Sequence, residues 1–305
     1  MMAHTNNLTL LPNQGWDERI LICRNDELVQ VFIVVTDRYV VLVDTLINPA
    51  TAQKLVEYAQ PHLAAGRTLL VINTHADYDH AWGNQRFVGQ DAAHPAPIVA
   101  SLRCAARFAQ PDAMATLRAM QEAEPGIFGE VRLTPPTVLF DEQLTIDGGD
   151  LTLQLFATPG HTPDHISIYI PEIATLLAGD AAELPYPAAR TAEELPLMRA
   201  SLHALVAFEA KTVLYCHAPT AAGPQLLRDN IAYFDALEQA CRAALAHGMP
   251  SAELVDDADL IARVGCPYAD VTPHTDAWRD VHAFYRTAGH AAQLRMMLAW
   301  LADSF

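Results

Sequence analysis

The sequence predicts an α/β fold that ends in a helical extension, and three observations predict it. Short apolar runs bounded by turn residues alternate with helical stretches between residues 17 and 224. Four of those runs stop just before side chains that can bind metal. From residue 225 onward the pattern is helical, with no further strand. We therefore expect a catalytic domain over 17–224, with a helical excursion at 81–135, and a helical extension over 225–305.

Length and composition fit that division. The 305 residues are 51% hydrophobic, enough for a sizeable core. The net charge of −17 argues against a grip on nucleic-acid phosphates. Five cysteines form no C-x-x-C pair and no even framework, which points to reduced thiols and a cytoplasmic protein. No apolar run reaches membrane-spanning length, and the N-terminus lacks a basic-then-apolar signal. The expected partner is a small-molecule substrate, with no nucleic acid and no membrane. Oligomeric state is not legible.

Along the chain, apolar runs at 19–23, 28–35 and 39–43, split by Asn25-Asp26 and Asp37-Arg38, read as an antiparallel meander. Asn48-Pro49 offers a helix cap with Pro in the first turn, Leu55, Val56, Ala59 and Leu63 give a helical stripe, and Gly66 ends it. A buried strand at 69–73 follows. Pro111 and Pro125-Gly126 punctuate helices at 101–110 and 112–122. Strands resume at 137–140, 143–146 and 151–157, the last two joined through Asp147-Gly148-Gly149-Asp150 as a hairpin. Further strands are expected at 166–170, 174–178 and 212–216. A capping box, Thr191-x-x-Glu194, opens a helix whose apolar positions are Leu202, Leu205, Val206 and Phe208. Helices are expected at 226–247, 252–264, 276–287 and 291–302.

The candidate site sits on four strand ends. After 69–73 comes Thr74-His75-Ala76-Asp77-Tyr78-Asp79-His80. After 151–157 comes Thr158-Pro159-Gly160-His161-Thr162. Asp180 follows the strand at 174–178, and His217 follows the one at 212–216. Seven ligands result: His75, Asp77, Asp79, His80, His161, Asp180 and His217. One tetrahedral zinc takes four, including any water. Seven suit two metals roughly 3.5–4 Å apart.

These motifs, in this order, resemble those of metallo-β-lactamase-fold hydrolases over about residues 20–220. The family's His-x-His-x-Asp-His is matched by His75, Asp79 and His80, its Pro-Gly-His-Thr by 159–162, its bridging Asp by Asp180 and its final His by His217. The resemblance implies a four-layer αβ/βα sandwich and a hydrolase in which hydroxide held between two metals attacks a small ester, lactone, thioester or lactam carbonyl. It implies one metal on His75, Asp77 and His161, the other on Asp79, His80 and His217, and Asp180 between them. Asp79 would be the catalytic residue, orienting the nucleophile and passing a proton to the leaving group.

Two departures stand out. The second His of the family motif is Asp77 here. With a bridging hydroxide and two Asp, a two-metal centre carries about +1, and a third Asp brings it to about 0. Zinc is the expected metal, with Fe or Mn admitted by the oxygen ligand of Asp77. A metal-substituted Asp77→His variant is expected to keep or gain hydrolysis. Flavodiiron relatives carry a carboxylate at this position, so the alternative reading is a di-iron protein reducing oxygen or nitric oxide, here without its flavodoxin half. The other departure is Asp44-Thr45-Leu46, where many relatives have Gly in the third place. Around the site, Tyr78, Trp82, His165 and Tyr186 are the candidate substrate-binding residues.

Overall fold

The computed structural model describes residues 4–90, 92–249 and 255–302. The chain divides into two compact units, Met1–Ala157 with Asp164–Gly179, and Thr158–Pro163 with Asp180–Phe305. The fold is two sheets flanked by helices.

The first unit opens with β1 (Thr9–Leu10), β2 (Ile20–Asn25), β3 (Val29–Val35), β4 (Tyr39–Val43), α1 (Pro49–Leu63), β5 (Thr68–Ile72), α2 (Tyr78–Ala81), β6 (Ile98–Ser101), α3 (Leu102–Phe108), α4 (Pro111–Ala123), α5 (Pro125–Phe128) and β7 (Val138–Phe140). The seven strands form one sheet in sequence order. Pairing is antiparallel from β1 to β4 and parallel from β4 to β7. The switch follows from the connections: turns join the meander, whereas α1 carries the chain back between β4 and β5. Asn48 caps α1, its Oδ1 accepting from the Ala50 and Thr51 N–H groups, as the sequence led us to expect. Every residue of β3 is buried, so both faces of the sheet are covered there.

The unit continues with β8 (Gln143–Asp147), β9 (Thr152–Ala157), β10 (Ile166–Ile170) and β11 (Thr175–Gly179). They pair antiparallel in order, and the expected hairpin brings Asp147 opposite Thr152. Arg38 reaches Asp147 and Arg19 reaches Asp150, which ties that hairpin to the first sheet's meander.

The second unit holds α6 (Glu194–Ala207), β12 (Thr212–Tyr215), α7 (Gln225–Ala246), α8 (Asp257–Val264), α9 (Asp276–Arg279), α10 (Ala283–Arg286) and α11 (Ala288–Ala302). On α7, Leu226, Leu227, Asn230, Tyr233, Phe234, Leu237 and Cys241 are buried at three- and four-residue spacing. That stripe packs on α6, α8 and α11.

The structure corrects several expectations. The excursion at 81–135 is not all helical, because β6 lies inside it and pairs parallel with β5. Four residues behind Pro95 and Pro97 are too short a run to read as a strand. The helix expected at 276–287 is two short ones, because His282 takes an extended backbone and its Nδ1 accepts from the Phe284 N–H. At Thr191-x-x-Glu194 half of the capping box forms: Glu194 Oε2 accepts from the Thr191 N–H, but the helix begins at Glu194. Of the helix expected at 252–264, residues 252–254 lie outside the described residues, and α8 starts behind its cap Asp256. At Asp44-Thr45-Leu46 the backbone is left-handed at Asp44 (φ 71°) and Leu46 (φ 66°), so the turn keeps a glycine-like conformation with Leu in the third place.

Candidate metal centre

In the first unit, four of the seven proposed ligands follow β5. The loop that carries them is pinned from behind. Asn73 and Asn84 exchange amide hydrogen bonds at 2.8 and 3.1 Å, and Asn84 also donates to the Thr134 carbonyl. The Thr45 N–H donates to the His80 carbonyl. Fixed backbone of this kind is what ligands placed to a few tenths of an ångström require.

Asp44 orients the two histidines. Its side chain is fully buried. Oδ1 accepts from the Thr74 N–H at 2.7 Å, and Oδ2 accepts from Thr74 Oγ1 and from His80 Nδ1, both at 2.8 Å. The one Thr74 hydroxyl proton is thereby committed, so Thr74 Oγ1 accepts from His75 Nδ1 at 3.0 Å. Both rings then carry their proton on Nδ1 and present Nε2, the arrangement of a metal-ligating histidine backed by an oxygen.

The carboxylates stand beside those Nε2 atoms. Asp77 Oδ2 is 3.5 Å from His75 Nε2, and Asp79 Oδ2 is 3.7 Å from His80 Nε2. The second unit repeats the pattern. Asp180 Oδ2 lies 3.6 Å from His161 Nε2 and 3.3 Å from His217 Nε2. These separations exceed a good N–H···O bond. Donor atoms 2.0–2.2 Å from one tetrahedral zinc are roughly 3.3–3.6 Å apart. The separations in the donor set thus fit donors shared by a metal.

Two glycines make room for neighbouring groups, one in each unit. Gly160, at φ +143°, lies so close to α6 that an added Cβ would come within 2.2 Å of Met198 Cα. Ser201 Oγ donates to the Pro159 carbonyl beside it at 2.7 Å, so the turn before His161 is seated on α6. In the first unit, Gly179 at φ +59° leaves room for His165, whose Nε2 would be 2.5 Å from an added Cβ.

Glu183, which no sequence pattern singles out, stands with Oε1 3.2 Å from His161 Nδ1. Its segment is held by Asn230 of α7, which accepts from the Glu183 N–H and donates to the Glu183 and Pro185 carbonyls. The Leu184 N–H donates to the His217 carbonyl. The helical extension thus steadies the strand end that carries His217.

The candidate substrate residues have other surroundings. Trp82 is 4% exposed in a cluster with Ile47, Leu117, Phe128 and Val131, and Tyr78 packs against it. His165 is buried, its ring 5.1 Å from that of His75. Tyr186 is buried against Tyr233, stacked at 4.4 Å, and its hydroxyl donates to the Tyr285 carbonyl. Burial pushes the Tyr186 phenol well above its usual pKa.

All five cysteines are free and buried. Among the described residues no helix is long and apolar enough to cross a membrane.

Comparison with known proteins identifies the family. The family model for the metallo-beta-lactamase superfamily matches residues 24–217. A hydroxyacylglutathione hydrolase from Hahella chejuensis is 28% identical over 215 residues, covering 68% of this chain and 70% of the relative. Among solved structures, a metallo-beta-lactamase family protein from Thermus thermophilus covers 97% of this chain and 93% of its own, with a TM-score of 0.59 and 21% identity. A metallo-beta-lactamase from Pontibacter korlensis covers 74% of this chain and 97% of its own, with a TM-score of 0.55 and 20% identity. At such identities the structural likeness speaks for the fold alone.

Proposed function

Because this chain belongs to the metallo-beta-lactamase superfamily, we propose that it is a hydrolase that works with two divalent metals, zinc first, on a small carbonyl substrate. One observation carries the reading: histidine Nε2 and carboxylate oxygens stand 3.3–3.7 Å apart in both units, at the spacing of co-ligands. Assignment of His75, Asp77 and His161 to one metal, Asp79, His80 and His217 to the other, and Asp180 to both follows the order of the superfamily motifs along the sequence.

Bound metals would supply Lewis acidity and a water acidic enough to react near neutral pH. The chain's own residues do the rest. Asp44 and Thr74 keep the His75 and His80 protons on Nδ1, so that both Nε2 atoms stay basic. Asp79 has a carboxylate beside His80 and is the group to accept a proton and return it to the leaving group. A thioester is the first substrate class to assay, because curated relatives are named hydroxyacylglutathione hydrolases. The five buried thiols suit a reducing cytoplasm.

The test is elemental analysis of protein purified without added metal, alongside thioester, ester and lactone hydrolysis before and after chelation. Two equivalents of zinc, with hydrolysis lost on chelation and restored by zinc, is the expected result. Protein that takes up no metal even on reconstitution, or hydrolysis indifferent to chelation, overturns the reading.

A further inference from the structure

In the first unit Arg107 joins two acids that the sequence does not connect. Its Nη2 donates to Asp77 Oδ1 and its Nη1 to Asp164 Oδ1, each at 2.8 Å. The other Asp77 oxygen is the one 3.5 Å from His75 Nε2. The carboxylate is therefore divided, one oxygen toward a guanidinium and one toward the candidate metal. Asp77 also stands at the N-cap of α2, yet its side chain makes no cap hydrogen bond there.

Asp164 is built as a brace. Its side chain is fully buried. Its Oδ2 accepts from the N–H of Ala76, the residue between His75 and Asp77, at 2.9 Å. Its carbonyl accepts from Ser101 Oγ at 2.9 Å, and the same Oγ accepts from the Cys104 N–H as the cap of α3. The last turn of α3 carries Arg107. Both ends of the guanidinium bridge are thus anchored to the backbone around the ligand loop. Two carboxylates flank the guanidinium at 2.8 Å, and an arginine side chain is cationic in proteins.

Resting on the metallohydrolase reading, we propose that Arg107, braced by Asp164, is the positioning residue that holds Asp77 as a one-oxygen metal ligand and offsets its charge. With Oδ1 engaged by Arg107, Asp77 cannot chelate through both oxygens. The cation also restores part of the positive charge that a third carboxylate removes from the centre. The three residues form a unit matched to a carboxylate at position 77. Asp77→His alone then becomes unfavourable, contrary to the expectation from sequence, because it sets a neutral ring against a guanidinium left with one acid partner.

The experiment measures zinc dissociation constants by competition with a chromophoric chelator. It uses the full chain as wild type, R107M, D77H and D77H/R107M, with melting of each metal-free protein as the folding control. R107M is expected to weaken zinc binding about 10–100-fold, the usual effect of removing a group that orients a ligand. D77H is expected to weaken it as well. In the D77H background, adding R107M should leave affinity unchanged or raise it, since no carboxylate remains for Arg107 to hold. An equal loss from R107M in both backgrounds, or R107M binding as tightly as wild type, overturns the proposal and leaves the hydrolase reading standing. A wild type that binds no zinc overturns both. Should R107M not fold, D164N and R107K carry the same comparison, each expected to lose affinity only where Asp77 is present.

Discussion

Replacing Asp44 by Asn should strip the candidate centre of one histidine while barely changing its shape. Asn Oδ1 can still accept from the Thr74 N–H, now 2.7 Å from Asp44 Oδ1. Its amide then occupies the place of Asp44 Oδ2, which in the native chain accepts from both Thr74 Oγ1 and His80 Nδ1 at 2.8 Å. An N–H donor facing His80 Nδ1–H is a clash of donors. The ring relieves it by moving its proton to Nε2, the atom proposed to bind metal. Replacing the charge-assisted bonds of Oδ2 by neutral ones in a fully buried place costs at least about 1.5–3 kcal/mol of stability in the metal-free protein. Blocking Nε2 should weaken metal binding about 10–100-fold, roughly 1.4–2.7 kcal/mol. Denaturant unfolding of the metal-free protein and chelator competition read the two quantities separately. If D44N binds both metals as tightly as wild type, the tautomer argument is wrong, whatever happens to stability.

Four further outcomes are expected. Gly160→Ala should destabilise the protein by more than about 1 kcal/mol and weaken metal binding, since the added Cβ meets Met198 Cα at 2.2 Å and φ is +143°; an unchanged melting temperature and affinity would show that the turn yields. Phe128→Ala removes a fully buried ring that meets Trp82, Tyr78 and His4 edge-on, and should cost about 3–5 kcal/mol by urea unfolding, while Trp82→Phe should leave KM unchanged if Trp82 serves packing. His290 is buried between the Tyr233 hydroxyl and the Cys266 carbonyl, and burial lowers its pKa below the usual 6.5 despite the bond to Cys266. The unfolded chain therefore binds that proton more readily, so stability is full above about pH 6.5 and declines as pH falls below it. His290→Gln should flatten the melting curve's pH dependence below about pH 6.5, and an unaltered slope would assign it to other groups.

The legible part of the site and the hidden part differ in how their residues are placed along the chain. His75, Asp77, Asp79, His80, His161, Asp180 and His217 each follow a strand within a few residues, and the strands are readable because their buried faces demand apolar runs. Position and residue type together singled them out. Asp44 and Glu183 also follow strands, β4 and β11, but the sequence gives them no role in the site, and Arg107 and Asp164 carry no such mark. Arg107 lies in the last turn of a seven-residue helix, where a basic side chain is ordinary on dipole grounds alone. Asp164 sits between Pro163 and His165 and reads as a turn residue. Only folding brings Asp164 to the Ala76 N–H and Arg107 to Asp77. The same holds for β6, whose four residues gain their meaning from β5 and β7 on either side.

That difference bears on Asp77 itself. Taken alone, an Asp in place of His lowers the charge of a two-metal centre and suggests a weaker Lewis acid. With Arg107 at 2.8 Å, the same residue would bring its own counter-charge, and the net change at any bound metals would be smaller than the sequence implies. A carboxylate backed by a guanidinium is also a rigid ligand with one oxygen to offer, closer to an imidazole in denticity than a free carboxylate is. Under the proposed reading, Asp77 and Arg107 would act as a ligand and its support, and the metal preference of the chain should be judged on the pair.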